Sequence, residues 1–249
     1  MREDLATTQA QAWQRLASAG TWWTGAQRVA IAAEARHALD CAFCAARAAA
    51  LSPLAVGGAH TRLDSPLADA AIEAIHRIHT DPGRLGETWF LRLREAGLAE
   101  EAPEEALEEA YVELVSVVAV VTAVDTFRRA AGLPPWALPP PRHGTPRRKR
   151  PRGARPGLAW VATLAPEDVT PDDPDLYRDR PGPRARYGAN IHRALSLVPD
   201  SMIHWWDMLE AMYQASSQMR DFGRDYRAVT HAQIELLAAR VAALNRCEY

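Results

Sequence analysis

The stretch TGAQRVAIAAEARHALDCAFC, from Thr24 to Cys44, joins an amphipathic helix pattern to a Cys-x-x-C pair at the start of a further helix. Thr24 is a predicted N-cap whose hydroxyl accepts a backbone amide of the first turn, and Gln27 completes a capping box. A similar stretch, THAQIELLAARVAALNRCEY, runs from Thr230 to Tyr249. The two copies predict an internal repeat, and we expect the function to depend on this duplicated element.

The alignment of the two copies makes Cys41 and Cys247 equivalent. In each copy a threonine leads and the first cysteine follows 17 positions later. Cys44, the second cysteine of the first copy, has no counterpart in the second. The sequence therefore predicts one intact and one truncated motif.

Composition limits the class of protein. The 249 residues carry a net charge of −2, so no overall field attracts the chain to nucleic acid or to a membrane, and neither partner is expected. The N-terminal residues contain acids and no apolar run, which is not the pattern of a signal peptide. The longest apolar run, Leu114 to Val124, is too short to span a bilayer. Three cysteines without an export signal predict a cytoplasmic protein, where a Cys-x-x-C indicates redox or metal chemistry rather than a structural disulfide.

The abundance of Ala, Leu, Glu and Arg predicts an all-α fold. The helix that contains Cys41 and Cys44 is expected to have Asp40 as its cap, and Glu104 to Ala131 is expected to be the central helix. The remaining predicted helices are 2–19, 24–38, 67–79, 87–96, 190–198, 200–215 and 230–245.

The predicted domain organisation has three parts. Residues 1–133 form a helical domain with the intact motif, 134–184 a Pro/Arg-rich linker or strap, and 185–249 a partial second repeat. The stretch 134–156 contains eight of the 18 prolines and seven Lys or Arg residues, so we expect a solvated segment. The second part has no long helix to cover the apolar face at Ile234, Leu237 and Val241, which predicts a homo-oligomer or close packing of the two halves.

Buried acids are expected within the long helix. Glu113 and Asp125 interrupt its apolar sequence, and carboxylates are seldom buried unpaired. We expect both to form ion pairs, with Arg128 and Arg129 as candidate partners.

The cysteine pair has a physical rationale at a helix start. Unpaired amides and the positive end of the helix dipole lower the pKa of the first thiol, and the second thiol lies on the same face within disulfide reach. Asp40 opposes this effect, whereas Arg36 and Arg47 favour it. Three interpretations stay open on these residues alone: a redox pair, two ligands of a metal, or two small apolar residues in a core.

The repeat resembles the core motif of the alkylhydroperoxidase D-like, or carboxymuconolactone decarboxylase-like, superfamily. That motif is a helix with a glutamate, a Cys-x-x-C twelve positions later, and a histidine four positions after the second cysteine. The resemblance implies an all-helical, oligomeric protein, and some family members are duplicated. It also implies attack of the second cysteine on a peroxide, resolution by the first as a disulfide, proton relay by glutamate and histidine, and reduction by a dithiol carrier protein.

Transferred to this sequence, the resemblance makes Cys44 the peroxidatic and Cys41 the resolving cysteine. The positions of the glutamate and histidine are occupied by Val29 and Ala48. Glu235, twelve positions before Cys247, fits the glutamate position of the second copy. His37 lies one turn before Cys41 and could replace the missing base. The candidate catalytic residues are thus Cys41, Cys44, Glu235, Cys247 and His37.

The function expected from this resemblance is a thiol-dependent peroxidase-like or disulfide-exchange activity. Its partners would be a peroxide or disulfide substrate and a dithiol reductant protein, and no cofactor or metal is assigned. The absence of the relay residues favours an alternative: a redox-inactive member of the family retained for ligand binding or assembly.

Overall fold

The computed structural model describes residues 2–98, 106–174, 176–177, 190–215, 218–219, 221–245 and 247. These residues form an all-α protein, as the composition predicts; the only strand-like feature among them is one isolated antiparallel bridge between Arg155 and Thr163. The helices are α1 (Glu3–Arg15), α2 (Gly25–His37), α3 (Ala42–Ala49), α4 (Asp69–Thr80), α5 (Glu87–Ala96), α6 (Leu107–Ala130), α7 (Asn190–Arg193), α8 (Pro199–Met212) and α9 (His231–Leu244).

The long helix α6 is the centre of the core, as predicted. Helices α1, α2, α4 and α8 pack around it, and Leu114, Val117, Val121 and Val124 are almost completely buried between them. Among the described residues α6 alone is long and apolar enough to cross a membrane, but 56% of its most apolar window is buried inside the protein. Its length is thus explained by its place in the core. The predicted first residues of this helix, 104 and 105, lie outside the described residues.

Glu113 and Asp125 of α6 are both paired, as predicted, but their partners lie on α2 rather than at the C-terminal end of α6. Glu113, completely buried, pairs with Arg28 and also accepts the backbone amide of Trp22 at 2.6 Å. Asp125 accepts two hydrogen bonds from Arg36, at 2.7 and 2.8 Å. Because a buried charge without its partner is costly, these pairs fix the orientation of α2 against α6.

Helix α2 begins and ends within one residue of its predicted bounds, but the next helix starts differently. Thr24 and Gln27 form a complete capping box. After His37 the chain makes a 3-10 turn, Ala38–Asp40, so Asp40 is not the cap of α3. The N-cap is Cys41 itself, in extended conformation, and α3 starts at Ala42. The extended residue ends one helix and starts the next, which turns α3 away from the axis of α2.

The Pro/Arg-rich stretch lies along the protein surface, where backbone hydrogen bonds and ion pairs hold it. The amide of Arg142 donates to Ala17 at 2.7 Å, and the amide of Arg148 donates to Thr21 at 2.8 Å. Arg147 pairs with Asp200, and the guanidinium of Arg150 pairs with acids at the start of α6. The side chains of Arg147 and Arg150 are still 65% and 40% exposed, so their charges are solvated as expected, while the segment follows the α1–α2 connection as a strap.

The second copy of the motif also starts with a capping box, between Thr230 and Gln233. Its helix α9 is poorly covered: Leu237, Val241 and Leu244 are 60%, 56% and 63% exposed. Leu237 and Val241 border an open apolar groove of about 1020 Å³ together with residues 226–229. The last residue of the predicted motif, Tyr249, and the end of the predicted linker, 178–184, lie outside the described residues.

Candidate dithiol–histidine site

Four potential ligands meet at the junction of α2, α3 and α4. The donor atoms of Cys41, Cys44, His60 and His76 all lie within 4.8 Å of one another. Both cysteines are buried and neither is in a disulfide. His60 belongs to the connection between α3 and α4, whereas His76 is on α4. The sequence patterns predicted the cysteines but neither histidine.

The α3–α4 connection reaches the cysteines through a close approach at Gly58. Its φ is +145°, and a Cβ at this position would lie 2.8 Å from a ring carbon of Phe43. Phe43 in turn packs edge-on against His60, with 5.0 Å between ring centroids, and Arg47 stacks over the Phe43 ring. A glycine at this position thus lets the backbone pass over Phe43 and bring His60 to the sulfurs.

His60 is oriented by a carboxylate on its outer side. Its Nε2 donates to Glu73 at 2.7 Å, which turns Nδ1 toward Cys41 Sγ at 3.7 Å and Cys44 Sγ at 3.4 Å. Glu73 also accepts from Arg47 at 2.8 Å and from the Trp89 indole at 3.1 Å. The carboxylate therefore joins α3, α4, α5 and the connection that carries His60.

His76 is oriented in the same way from the inner side. Its Nε2 donates to Glu34 at 2.9 Å, and its Nδ1 lies 3.1 Å from Cys44 Sγ. Glu34 also accepts the amide of Leu63 at 3.1 Å, so it positions both the histidine and the loop. The side chains of Glu34 and His76 are completely buried. Each imidazole thus presents Nδ1 to a sulfur and donates Nε2–H to a carboxylate.

The electrostatics of this cluster favour thiolate and imidazolium. Burial acts to raise the pKa of Cys41, but the backbone amide of Cys44 and the side chain of His60 outweigh it and lower that pKa to about 5. Burial is likewise outweighed at Cys44, whose pKa the two histidines lower. At His60 burial acts to lower the pKa, yet Cys44 and Glu73 raise it to about 10. Protons therefore reside on the rings rather than on the sulfurs.

Of the other residues predicted for the site, His37 is near the cluster, whereas Glu235 and Cys247 are elsewhere in the protein. His37 is next to His76, at 6.3 Å between ring centroids, and its buried Nε2 has no hydrogen-bond partner among the described residues. Glu235 is on α9, where it accepts from Tyr213 at 2.6 Å and pairs with His231. Cys247 is exposed beside the apolar groove. The hydrogen-bond partners of the Cys41–Cys44 pair come instead from the α3–α4 connection and α4.

The relay positions implied by the resemblance do not contribute to this site. Ala48 is exposed on α3, and Val29 is partly exposed on α2. The acidic and basic groups around the cysteines are instead Glu34, Glu73 and the two histidines. The sequence contains one signal for the histidines. His60 and His76 follow Cys44 at successive intervals of 16 residues, and His76 is three residues after Glu73 on the same helix.

Comparison of the chain with protein-family models, curated proteins and solved structures gives no match. The resemblance to the alkylhydroperoxidase D-like proteins therefore stays a proposal.

Proposed function

We propose that the chain is a dithiol oxidoreductase in which Cys41 and Cys44 cycle between thiol and disulfide, with a peroxide as the oxidant. The observation that carries the proposal is the position of Cys44 Sγ, 3.4 Å from His60 Nδ1 and 3.1 Å from His76 Nδ1, with a carboxylate behind each ring. A sulfur in this position is held as a thiolate, which is the nucleophilic form of cysteine.

The first step is attack of the Cys44 thiolate on the peroxide. A sulfur–oxygen bond forms, the oxygen–oxygen bond breaks, and the leaving alkoxide takes a proton from an imidazolium to become an alcohol. His60 is the better placed donor because its side chain is 9% exposed, whereas that of His76 is completely buried. His76 then serves to hold the Cys44 thiolate.

The second step closes the disulfide. The Cys41 thiolate attacks the sulfur of the Cys44 sulfenic acid, the sulfur–sulfur bond forms, and hydroxide leaves with a proton from the second imidazolium as water. The sum is two thiolates, two imidazolium protons and one peroxide, giving one disulfide, one alcohol, one water and two neutral imidazoles. A dithiol protein, as the resemblance implies, would return the pair to the thiol state in a reducing compartment such as the cytoplasm.

The test is peroxide-dependent thiol loss in reduced, chelator-treated protein. We expect Cys247→Ser to lose two thiols. The wild type should lose the same two thiols in addition to any loss at Cys247, and Cys44→Ser should lose neither of them. Cys41→Ser should stop at a sulfenic acid on Cys44 that a dimedone probe captures. His60→Gln should slow the first step about 10²- to 10⁴-fold, the contribution typical of a general acid. Equal thiol loss in wild type and Cys44→Ser, after correction for Cys247, would falsify the proposal.

A second candidate function is assembly, and the exposed face of α9 favours it. The apolar side chains of Leu237, Val241 and Leu244 form a continuous row on this helix beside the groove. The expectation of a homo-oligomer is tested by light scattering of the wild type and of Leu237→Asp. An oligomer that this substitution dissociates supports assembly through α9; a monomeric wild type contradicts it.

A further inference from the structure

We infer that Cys41, Cys44, His60 and His76 form a four-ligand site for Zn²⁺, and that the bound ion keeps the dithiol unreactive until an oxidant releases it. The inference deepens the proposed function, because it assigns a ligand and a form of regulation to the same sulfurs. It depends on the arrangement of the four donor atoms and on the two carboxylates that accept hydrogen bonds from the histidines.

The donor spacing fits a tetrahedral ion. With Zn–S of about 2.3 Å and Zn–N of about 2.0–2.1 Å, the sulfur–nitrogen edge of a tetrahedron is about 3.5 Å. The His60 Nδ1 distances to Cys44 and Cys41, 3.4 and 3.7 Å, agree with that edge. The Cys44–His76 distance of 3.1 Å is about 0.4 Å short, so this one contact would open slightly on metal binding.

The chemistry of the four donors selects the kind of ion. Two thiolates balance a divalent charge, and two thiolate plus two imidazole ligands suit a borderline-soft cation. Hard ions such as Ca²⁺ and Mg²⁺ take oxygen ligands, and the cluster presents sulfur and nitrogen toward its centre. The Cys-x-x-C spacing also permits both sulfurs to bind one ion from a helix start.

The carboxylates behind the rings are an independent indication of a metal. In zinc proteins a ligating histidine almost always donates its other N–H to a carboxylate or carbonyl, which fixes the tautomer and directs the free nitrogen at the ion. Both histidines have this arrangement, His60 with Glu73 at 2.7 Å and His76 with Glu34 at 2.9 Å. A four-ligand site with two histidines needs two such pairs, and both are present.

The site has the character of a closed centre. Cys41 and Cys44 are 1% and 3% exposed, and the side chain of His76 is completely buried. With four protein ligands in place the ion has no open position for water or substrate, which is the arrangement of structural zinc sites. The ion would also fasten the start of α3 to the α3–α4 connection and to α4.

Oxidation and metal binding exclude each other, since a disulfide provides no thiolate ligands. A peroxide that reacts with the zinc-bound pair takes two electrons from the sulfurs and two protons from solvent. The products are one disulfide, one alcohol, one water and one released Zn²⁺. The bound ion withdraws electron density from both thiolates, so this reaction is slower than in the metal-free protein.

The binding experiment uses reduced, metal-free protein and Zn²⁺ in competition with a chromophoric chelator. We expect about one Zn²⁺ per chain in the wild type and in the matched control Cys247→Ser. His60→Gln should weaken binding by at least tenfold, and because His60 lies outside the helices this variant should keep the helical circular dichroism of the wild type. Glu73→Gln, which removes the charge behind His60 and the ion pair with Arg47, should weaken binding by about 10- to 100-fold.

A spectroscopic measurement identifies the ligands. Co²⁺ in place of Zn²⁺ should give the intense visible bands of tetrahedral Co²⁺ and a thiolate-to-metal charge-transfer band in the near ultraviolet. Cys44→Ser should reduce the charge-transfer band. Equal Zn²⁺ affinity of the wild type and His60→Gln, or a Co²⁺ complex without a thiolate band, overturns the metal site.

The effect on reactivity is measured by peroxide-dependent thiol loss with and without one equivalent of Zn²⁺. We expect slower loss in the zinc-loaded protein, with release of the ion to a fluorescent zinc indicator as the thiols disappear. Identical rates with a tightly bound ion overturn the regulatory part of the inference. Normal oxidation without zinc binding rejects the metal site and leaves the proposed function standing. Zinc binding without Cys44-dependent oxidation rejects the proposed function and leaves the metal site standing.

Discussion

Helices α2 and α9 carry the same sequence pattern, and the protein uses them differently. Each starts with a threonine–glutamine capping box, and each leads to a cysteine. Ile31 on α2 is completely buried beneath its neighbours, whereas Leu237, the equivalent residue on α9, is 60% exposed. The comparison teaches that the pattern specifies the start and the apolar face of a helix, while the neighbouring elements decide whether its cysteine is in a site.

The two helices also differ at the position that orients His76 in the first of them. Glu34 on α2 holds His76 and the amide of Leu63. The equivalent position on α9 is Arg240, which is exposed. An arginine cannot accept a hydrogen bond from an imidazole N–H, so the second copy lacks the group that orients a histidine in the first.

The largest contrast is expected from truncation of the equivalent apolar residues. Ile31→Ala removes a completely buried side chain and should lower the free energy of unfolding by about 2–5 kcal/mol. Leu237→Ala should change it by less than about 0.5 kcal/mol, because the side chain is largely in solvent. Urea unfolding of both variants provides the measurement. A loss of more than about 1 kcal/mol from Leu237→Ala would mean that the face of α9 is covered in solution.

A smaller contrast is expected at the next pair of equivalent positions. Glu34→Ala leaves the buried Nε2 of His76 without an acceptor, which costs about 1–3 kcal/mol, whereas the amide of Leu63, a residue 37% exposed, can turn to water. Arg240→Ala on the surface of α9 should change stability by less than about 0.5 kcal/mol. The measurement is the melting temperature of each variant in its metal-free form. Equal melting temperatures would show that Glu34 contributes no more to the fold than a surface residue.

The smallest effect is expected at the two capping boxes, where the copies are locally alike. Thr24→Ala and Thr230→Ala each remove a side-chain acceptor for an amide of the first turn, worth about 1 kcal/mol. In α2 the loss should lower the global stability, because that helix is packed in the core. In α9 the loss of the cap should speed the amide hydrogen exchange of this helix and leave the global unfolding midpoint unchanged. A common global effect of both substitutions would contradict the difference in packing.

Sequence reasoning reached the features that depend on local pattern. The capping box at Thr24, the long core helix and the pairing of Glu113 and Asp125 all follow from helix signals and from the cost of unpaired charge. The partners Arg28 and Arg36 could not be predicted, because which helix lies beside α6 is a tertiary property. Asp40 was a reasonable cap by residue type, yet the 3-10 turn moved the start of α3 past it.

The site was only half predicted, for a physical reason. The cysteines form a short motif, whereas His60 reaches them through an irregular connection and His76 from another helix. Periodicity places His76 on the buried face of α4 but does not say what that face meets. Glu235 was chosen from the equivalence of the two copies, and the different packing of α9 puts it beside Tyr213 instead.

The site is also compact along the chain, since every group that holds the two sulfurs comes from the stretch between Glu34 and Trp89. Cys44 is only 16 residues from His60 and 32 from His76, and closure of such short loops is fast compared with synthesis. A ribosome adds roughly 5–20 residues per second, so about one to four seconds separate Trp89 from the first residue of α6. All four donors precede α6 in the chain, so capture of an ion by the α3–α4 region would require only short loop closures and no contact with the core helix.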